Sequence, residues 1–169
     1  YYNGGTSTTG NSITENKFDN IIPTEYGIGV LIYNNCYTSI TDNVMTRVRV
    51  GIQTGNFYNA DGGTSHSITG NEIESSRRGI FHNLSYTNAT TFDISNNDFT
   101  TVAGATYNDG IAISSIQSAV GVILSNNNVT DARSGYNLWN CPTSNTVTIN
   151  GGILTDCQIG VFANNFDGY

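Results

Sequence analysis

Apolar residues recur along this chain with two superposed periods. Over short stretches they alternate with polar ones, as in Ser39-Ile40-Thr41 and Asp93-Ile94-Ser95, which is the period-two pattern of half-buried β-strands. Over longer distances a whole motif returns. Ser-Ile-Thr opens a unit at Ser12-Ile13-Thr14, Ser39-Ile40-Thr41 and Ser67-Ile68-Thr69. The anchor then continues as Ile94, Leu124 and Ile149, at intervals of 27, 28, 26, 30 and 25 residues. Three positions after each anchor stand Asn16, Asn43, Asn71, Asn97, Asn127 and finally Gly152. Five positions after it stand Phe18, Met45, Ile73, Phe99, Val129 and Leu154. A Gly followed by an apolar residue closes each unit: Gly27-Ile28, Gly51-Ile52, Gly79-Ile80, Gly110-Ile111, Gly135-Tyr136 and Gly160-Val161. Two units carry small insertions, around Pro23-Thr24 and from Ala103 to Tyr107.

Each unit predicts three short strands joined by tight corners, because the segments are too short and too β-branched for helices. Asn and Gly at the corners are expected to supply left-handed backbone angles. The anchor, the residue five on and the residue after Gly are expected to point inward and stack as ladders. A single unit cannot bury its own apolar face, so stacking has to supply the stability. The predicted fold is all-β: a right-handed parallel β-helix, or solenoid, of about six coils, forming one segment over 1–169. This repeat, over residues 12 to 165, resembles the bacterial right-handed β-helix families. They include polysaccharide lyases and hydrolases, C5-epimerases, phage tailspikes and the long surface proteins of Bacteroidota. The resemblance implies the fold and leaves the activity open, since one scaffold hosts many functions.

Composition narrows the function classes. Charged residues make up 11% of the 169, and the net charge is −7 with six Lys and Arg. A nucleic-acid or anionic-membrane partner would need a basic face, so neither is expected. No run of about 18 apolar residues is present to span a bilayer. A Thr/Ser/Asn surface with few lysines suits a secreted or cell-surface protein. The chain begins Tyr1-Tyr2-Asn3-Gly4, which suggests a piece of something longer. Cys36, Cys141 and Cys157 lack metal-ligand spacing and are expected to be small buried thiols. Sequons occur at Asn83, Asn88 and Asn128.

The candidate chemistry lies on the outside of the predicted rod. Arg49, Arg77 and Arg133 each precede the repeat's Gly by two residues and so predict one column, which Gln158 continues. Arg77 and Arg78 neighbour Glu72 and Glu74, and Asp98 takes the Glu72 position one coil on. These seven charged residues either form a shallow cleft for an anionic sugar, with carboxylates for proton transfer or calcium, or pair with one another at the surface, Glu74 serving the arginines. His66 and His82 fall in inward columns and are expected in the core. Asn108-Asp109-Gly110-Ile111-Ala112-Ile113-Ser114 resembles the Asp-containing strand of polygalacturonases, but the further aspartates and the Gly-His-Gly segment of those enzymes are missing. Ser12, Thr14, Ser39, Thr41, Ser67 and Thr69 form an outward hydroxyl face, whose regularity Asp93 and Ile123 interrupt. The expected function is an extracellular structural or adhesive module without metal or cofactor, whose partners are further coils of the same chain or other copies. The alternative is a domain that binds or cleaves an acidic polysaccharide.

Overall fold

A computed structural model describes residues 11–21, 27–33, 38–57, 66–85, 91–102, 105, 108–116, 121–141 and 146–164. Strands follow the repeat layer by layer. The first layer holds β1 (Asn11–Thr14), β2 (Lys17–Asp19) and β3 (Ile28–Tyr33); the second holds β4 (Thr38–Thr41) and β5 (Val44–Phe57). The third holds β6 (His66–Thr69) and β7 (Glu72–Ser85); the fourth holds β8 (Thr91–Ser95), β9 (Asp98–Thr101) and β10 (Asp109–Ile116). β11 (Gly121–Ser125), β12 (Asn128–Thr130) and β13 (Ser134–Trp139) make the fifth, and β14 (Thr146–Asn150), β15 (Leu154–Thr155) and β16 (Ile159–Asn164) the sixth. In the second and third layers the second corner is absorbed into one long strand, with register shifts between Met45 and Val48 and between Val48 and Val50.

All pairings between these strands are parallel. The first ladder runs β1-β4-β6-β8-β11-β14 and stacks the anchors Ile13, Ile40, Ile68, Ile94, Leu124 and Ile149 in register. A second column stacks Phe18, Met45, Ile73, Phe99, Val129 and Leu154. These two columns, with Val30, Ile52, Ile80, Ile111 and Tyr136 from the third strands, enclose one continuous apolar core.

The chain is thus an all-β solenoid of parallel strands, but of about four turns rather than the expected six. A strand layer becomes a closed turn only where other layers cover it on both sides. The four inner layers meet that condition: Ile40, Ile68, Ile94 and Leu124 are all buried. In the first layer Ile13 is half-buried, and in the sixth Ile149 is 38% exposed.

Two further expectations change. The glycine of the first layer in register with Gly51 is Gly29, not Gly27, since Ile28 pairs with Val50 and Val30 with Ile52. The first layer therefore carries the same extra length as the fourth. The left-handed corner residue is the one before the ladder Asn: Glu15, Asp42, Asn96 and Asn126 have φ between 53° and 57°, and Gly70 and Gly151 fill that place in the other layers. The repeat glycine has a different purpose. A Cβ at Gly51 would lie 2.5 Å from Ile73 Cγ2 and 2.6 Å from the Gly79 carbonyl, so glycine stands there for space rather than for φ.

Candidate functional site

The most regular polar assembly is the Asn column at the first corner. Asn16 Nδ2 donates to Asn43 Oδ1, Asn43 to Asn71, Asn71 to Asn97, and Asn97 to Asn127, each at 2.9–3.0 Å. The same Oδ1 atoms accept the backbone amide of the Asn one layer back. Each of Asn43, Asn71 and Asn97 also donates to the carbonyl of the residue after its own anchor and to the anchor carbonyl of the preceding layer. These side chains sit at 0–1% exposure, where an unpaired amide would be costly. Every layer thus caps its neighbour. At Gly152 the side chain, and with it the column, ends.

The predicted charged cleft is only partly assembled. Glu72 and Asp98 are register partners on the outer side of β7 and β9, and Glu74 follows beside Thr100. With Val44, Thr46 and Thr100 the two glutamates line a shallow depression of about 240 Å³. Asp98 Oδ1 accepts a 2.7 Å hydrogen bond from Asn128 Nδ2. The arginines lie elsewhere. Val50 pairs with Arg78, and Arg78 with Asp109, so Arg49 and Arg77 adjoin while Asn108 takes the next place. The Arg133 backbone amide donates to Asn108 Oδ1, and Asn108 separates Arg77 from Arg133 in the expected column. Among the described residues the ion pairs are Arg47–Asp19 at 3.2 Å and Arg78–Asp109 at 3.5 Å; Glu74 takes part in neither. Arg47 and Thr46 hold the exposed Asp19 carboxyl below its ordinary range. Burial lowers the Arg78 pKa, against the pull of Asp109.

A cluster that the sequence reading missed stands on the outer side of the third strands. Phe81 and Trp139, two layers apart, lean together with ring centroids 6.2 Å apart and planes 21° from parallel. Phe81 is the register partner of the fully buried Ala112 in the layer between. The Arg78 guanidinium lies 4.2 Å from the Phe81 centroid and 5.7 Å from that of Trp139, a cation–π geometry. Asp109, beyond its ion pair with Arg78, accepts from Asn137 Nδ2 at 3.1 Å, and Ser114 donates to Asn83 Oδ1 at 2.7 Å. Exposed Tyr33 and Phe162 extend this aromatic row into the first and sixth layers. The available signal was positional: all four aromatics fall two or four residues after the repeat glycine. Tyr58, Tyr86 and Tyr107 and the side chain of Phe57, aromatics in or beside the long loops, lie outside the described residues, as does Cys36.

The histidines are in the core, His66 at 2% and His82 at 0% exposure. His82 shares its column with Ile32, Thr54, Ile113 and Leu138. Burial lowers the His66 pKa to about 4 and that of His82 to about 3. Cys141 is buried and Cys157 half-buried, and they do not bridge to each other. Among the described residues no group of three or more His, Cys, Asp or Glu is arranged to hold a metal ion. On the hydroxyl face, Thr14 and Thr41 lie 3.1 Å apart and Ser67 donates to Ser39 at 3.2 Å, so these groups bond along the rod.

Compared with known proteins, the chain matches no family model, and no curated protein or solved structure matches it.

Proposed function

We propose that this chain is an extracellular structural or adhesive module, a right-handed parallel β-helix of the bacterial surface type that serves as a rigid stalk. One observation supports this reading above the rest: the sixth layer is open. Ile149 and Val161 are 38% and 47% exposed there, although their register partners in the fifth layer, Leu124 and Tyr136, are buried in the core. A bare parallel strand edge is a template for another strand, and the complement of a layer in a repeat is another layer. The partner is accordingly a further coil, from the same chain or another copy. Right-handed winding follows from the strong preference of parallel crossovers. The low charge and the Ser/Thr/Asn surface fit a secreted or cell-surface setting. Sedimentation of the 169-residue chain is expected to show concentration-dependent association that V161K with I149K abolishes. A concentration-independent monomer whose β14–β16 amides are protected from exchange would remove the reading.

The aromatic row favours a second reading, binding of a polysaccharide along the third-strand side. Trp139, Phe81, Tyr33 and Phe162 offer ring faces on which sugar rings stack, and Asn83, Asn137 and Asp109 offer polar partners. Because Asp109 neutralises Arg78, this surface suits uncharged sugar rings better than the acidic glycan expected from the arginines. Trp139→Ala is expected to lower retention on immobilised glycans at least tenfold; equal retention of both forms excludes this surface. Neither reading includes cleavage: pectate and alginate should stay intact, and unsaturated products that vanish in Arg77→Ala would establish a lyase instead.

A further inference from the structure

Two inward columns face each other between the first ladder and the third strands. One holds Thr38, His66, Phe92, Val122 and Val147; the other holds Ile32, Thr54, His82, Ile113, Leu138 and Ala163. In the fourth and fifth layers both columns are apolar. In the second layer both are threonine, and in the third both are histidine. Along these two columns, the apolar pairs of the fourth and fifth layers give way to a His pair that meets a Thr pair.

The contacts across that interface depend on protonation. The Thr38 backbone N–H donates to His66 Nδ1 at 3.4 Å, so that nitrogen must carry a lone pair and no proton. His82 Nδ1 lies 2.9 Å from Thr54 Oγ1. On the opposite side Phe92 closes over both imidazoles, its ring centroid 6.4 Å from His66 and 4.5 Å from His82. The groups facing the pair, among the described residues, include Thr38 of β4, Thr54 of β5, Phe92 of β8 and Ile113 of β10. Among the described residues, the titratable group acting on His82 is His66, and it disfavours a second charge.

We propose that the second and third layers meet in an acid-sensitive seam, where the neutral imidazoles of His66 and His82 hold the layers together and their protonation parts them. A proton on His66 Nδ1 turns an acceptor into a donor facing the Thr38 N–H. A proton on His82 places a second cation in the same dry layer, against Phe92 and Ile113. Neither charge can be hydrated until the layers separate. Both folded pKa values lie below the ordinary 6.5, so the unfolded chain takes up these protons first. The stability at stake is complete above about pH 6.5 and is lost progressively as pH falls through about 4 for His66 and about 3 for His82.

The test is amide exchange and urea denaturation of the full chain between pH 7.5 and 4.5, beside H66F/H82I, which installs the residues that the fourth layer already has at these places. The wild type is expected to lose protection first in β4–β8, with its urea midpoint falling on acidification. The double variant should lose less than half as much. Equal losses in both proteins would assign acid sensitivity to the carboxylates and overturn the seam. Should the variant not fold, the wild-type imidazoles decide by NMR: they should stay neutral at pH 5 and titrate only with unfolding. Titration near pH 6.5 in the folded protein would equally overturn the proposal.

Discussion

Asn71 shows what one side chain contributes to this architecture. Its amide donates to Asn97 Oδ1, Thr69 O and Ile40 O, and its Oδ1 accepts two bonds from Asn43. Leucine is of similar size and restores none of them. Asn71→Leu and Asn97→Leu should each lose about 1–3 kcal/mol in urea denaturation, the cost of leaving buried backbone partners unmatched; unchanged midpoints would mean that solvent serves those partners. The sequence displayed this column plainly, because an amide that bonds to its own image one layer away must recur with the repeat. It did not display which corner residue turns left-handed. Both corner positions draw on small or polar residues, and Glu15 with φ 57° has no compositional signature at all. The repeat glycines make a second contrast. A Cβ at Gly79 would overlap the Phe99 ring and approach the Gly110 carbonyl at 2.6 Å, whereas at Gly160 its nearest neighbour would be Leu154 Cδ1 at 3.6 Å. Gly79→Ala is therefore expected to cost about 1–3 kcal/mol and Gly160→Ala little, as thermal denaturation of the two variants will measure.

At the scale of strands and layers, position along the stack outweighs residue type. Ile94 and Ile149 occupy the same place in the repeat, yet Ile94 is fully buried and Ile149 is 38% exposed. Ile94→Ala should cost about 2–5 kcal/mol through the cavity it leaves, and Ile149→Ala under about 1 kcal/mol by the lesser area removed from contact. Equal losses would place a covering layer on β14. Periodicity revealed the anchor ladder and the second column, because inward apolar residues at a fixed offset leave no other register. It failed where an insertion sits between anchor and glycine. Gly27 and Gly29 are both followed by an apolar residue, and only the pairing of Val30 with Ile52 distinguishes them. The arginine column keeps the expected offset from the glycine, with the neutral Asn108 of the fourth layer standing between Arg77 and Arg133.

For the whole molecule, the essential property is that the same columns run from layer to layer, so a continuous core and a repeating outer surface arise together. The sequence showed the solenoid but overcounted its turns, because a repeat count registers strand layers while a turn needs cover on both sides. The aromatic row was harder to read, since its members come from different layers and meet only when the coils are stacked. The central claim is the layer order itself, and cysteine cross-linking reads it directly. Ser39, Ser67 and Asp93 lie in register on the outer face of β4, β6 and β8, with adjacent strands about 4.8 Å apart and alternate ones about twice that, beyond disulfide reach. In a background with the native cysteines replaced by serine, the S39C/S67C and S67C/D93C pairs should oxidise readily within one chain, and S39C/D93C should not. Efficient linkage of S39C to D93C, or none in either adjacent pair, would contradict the stacked parallel solenoid.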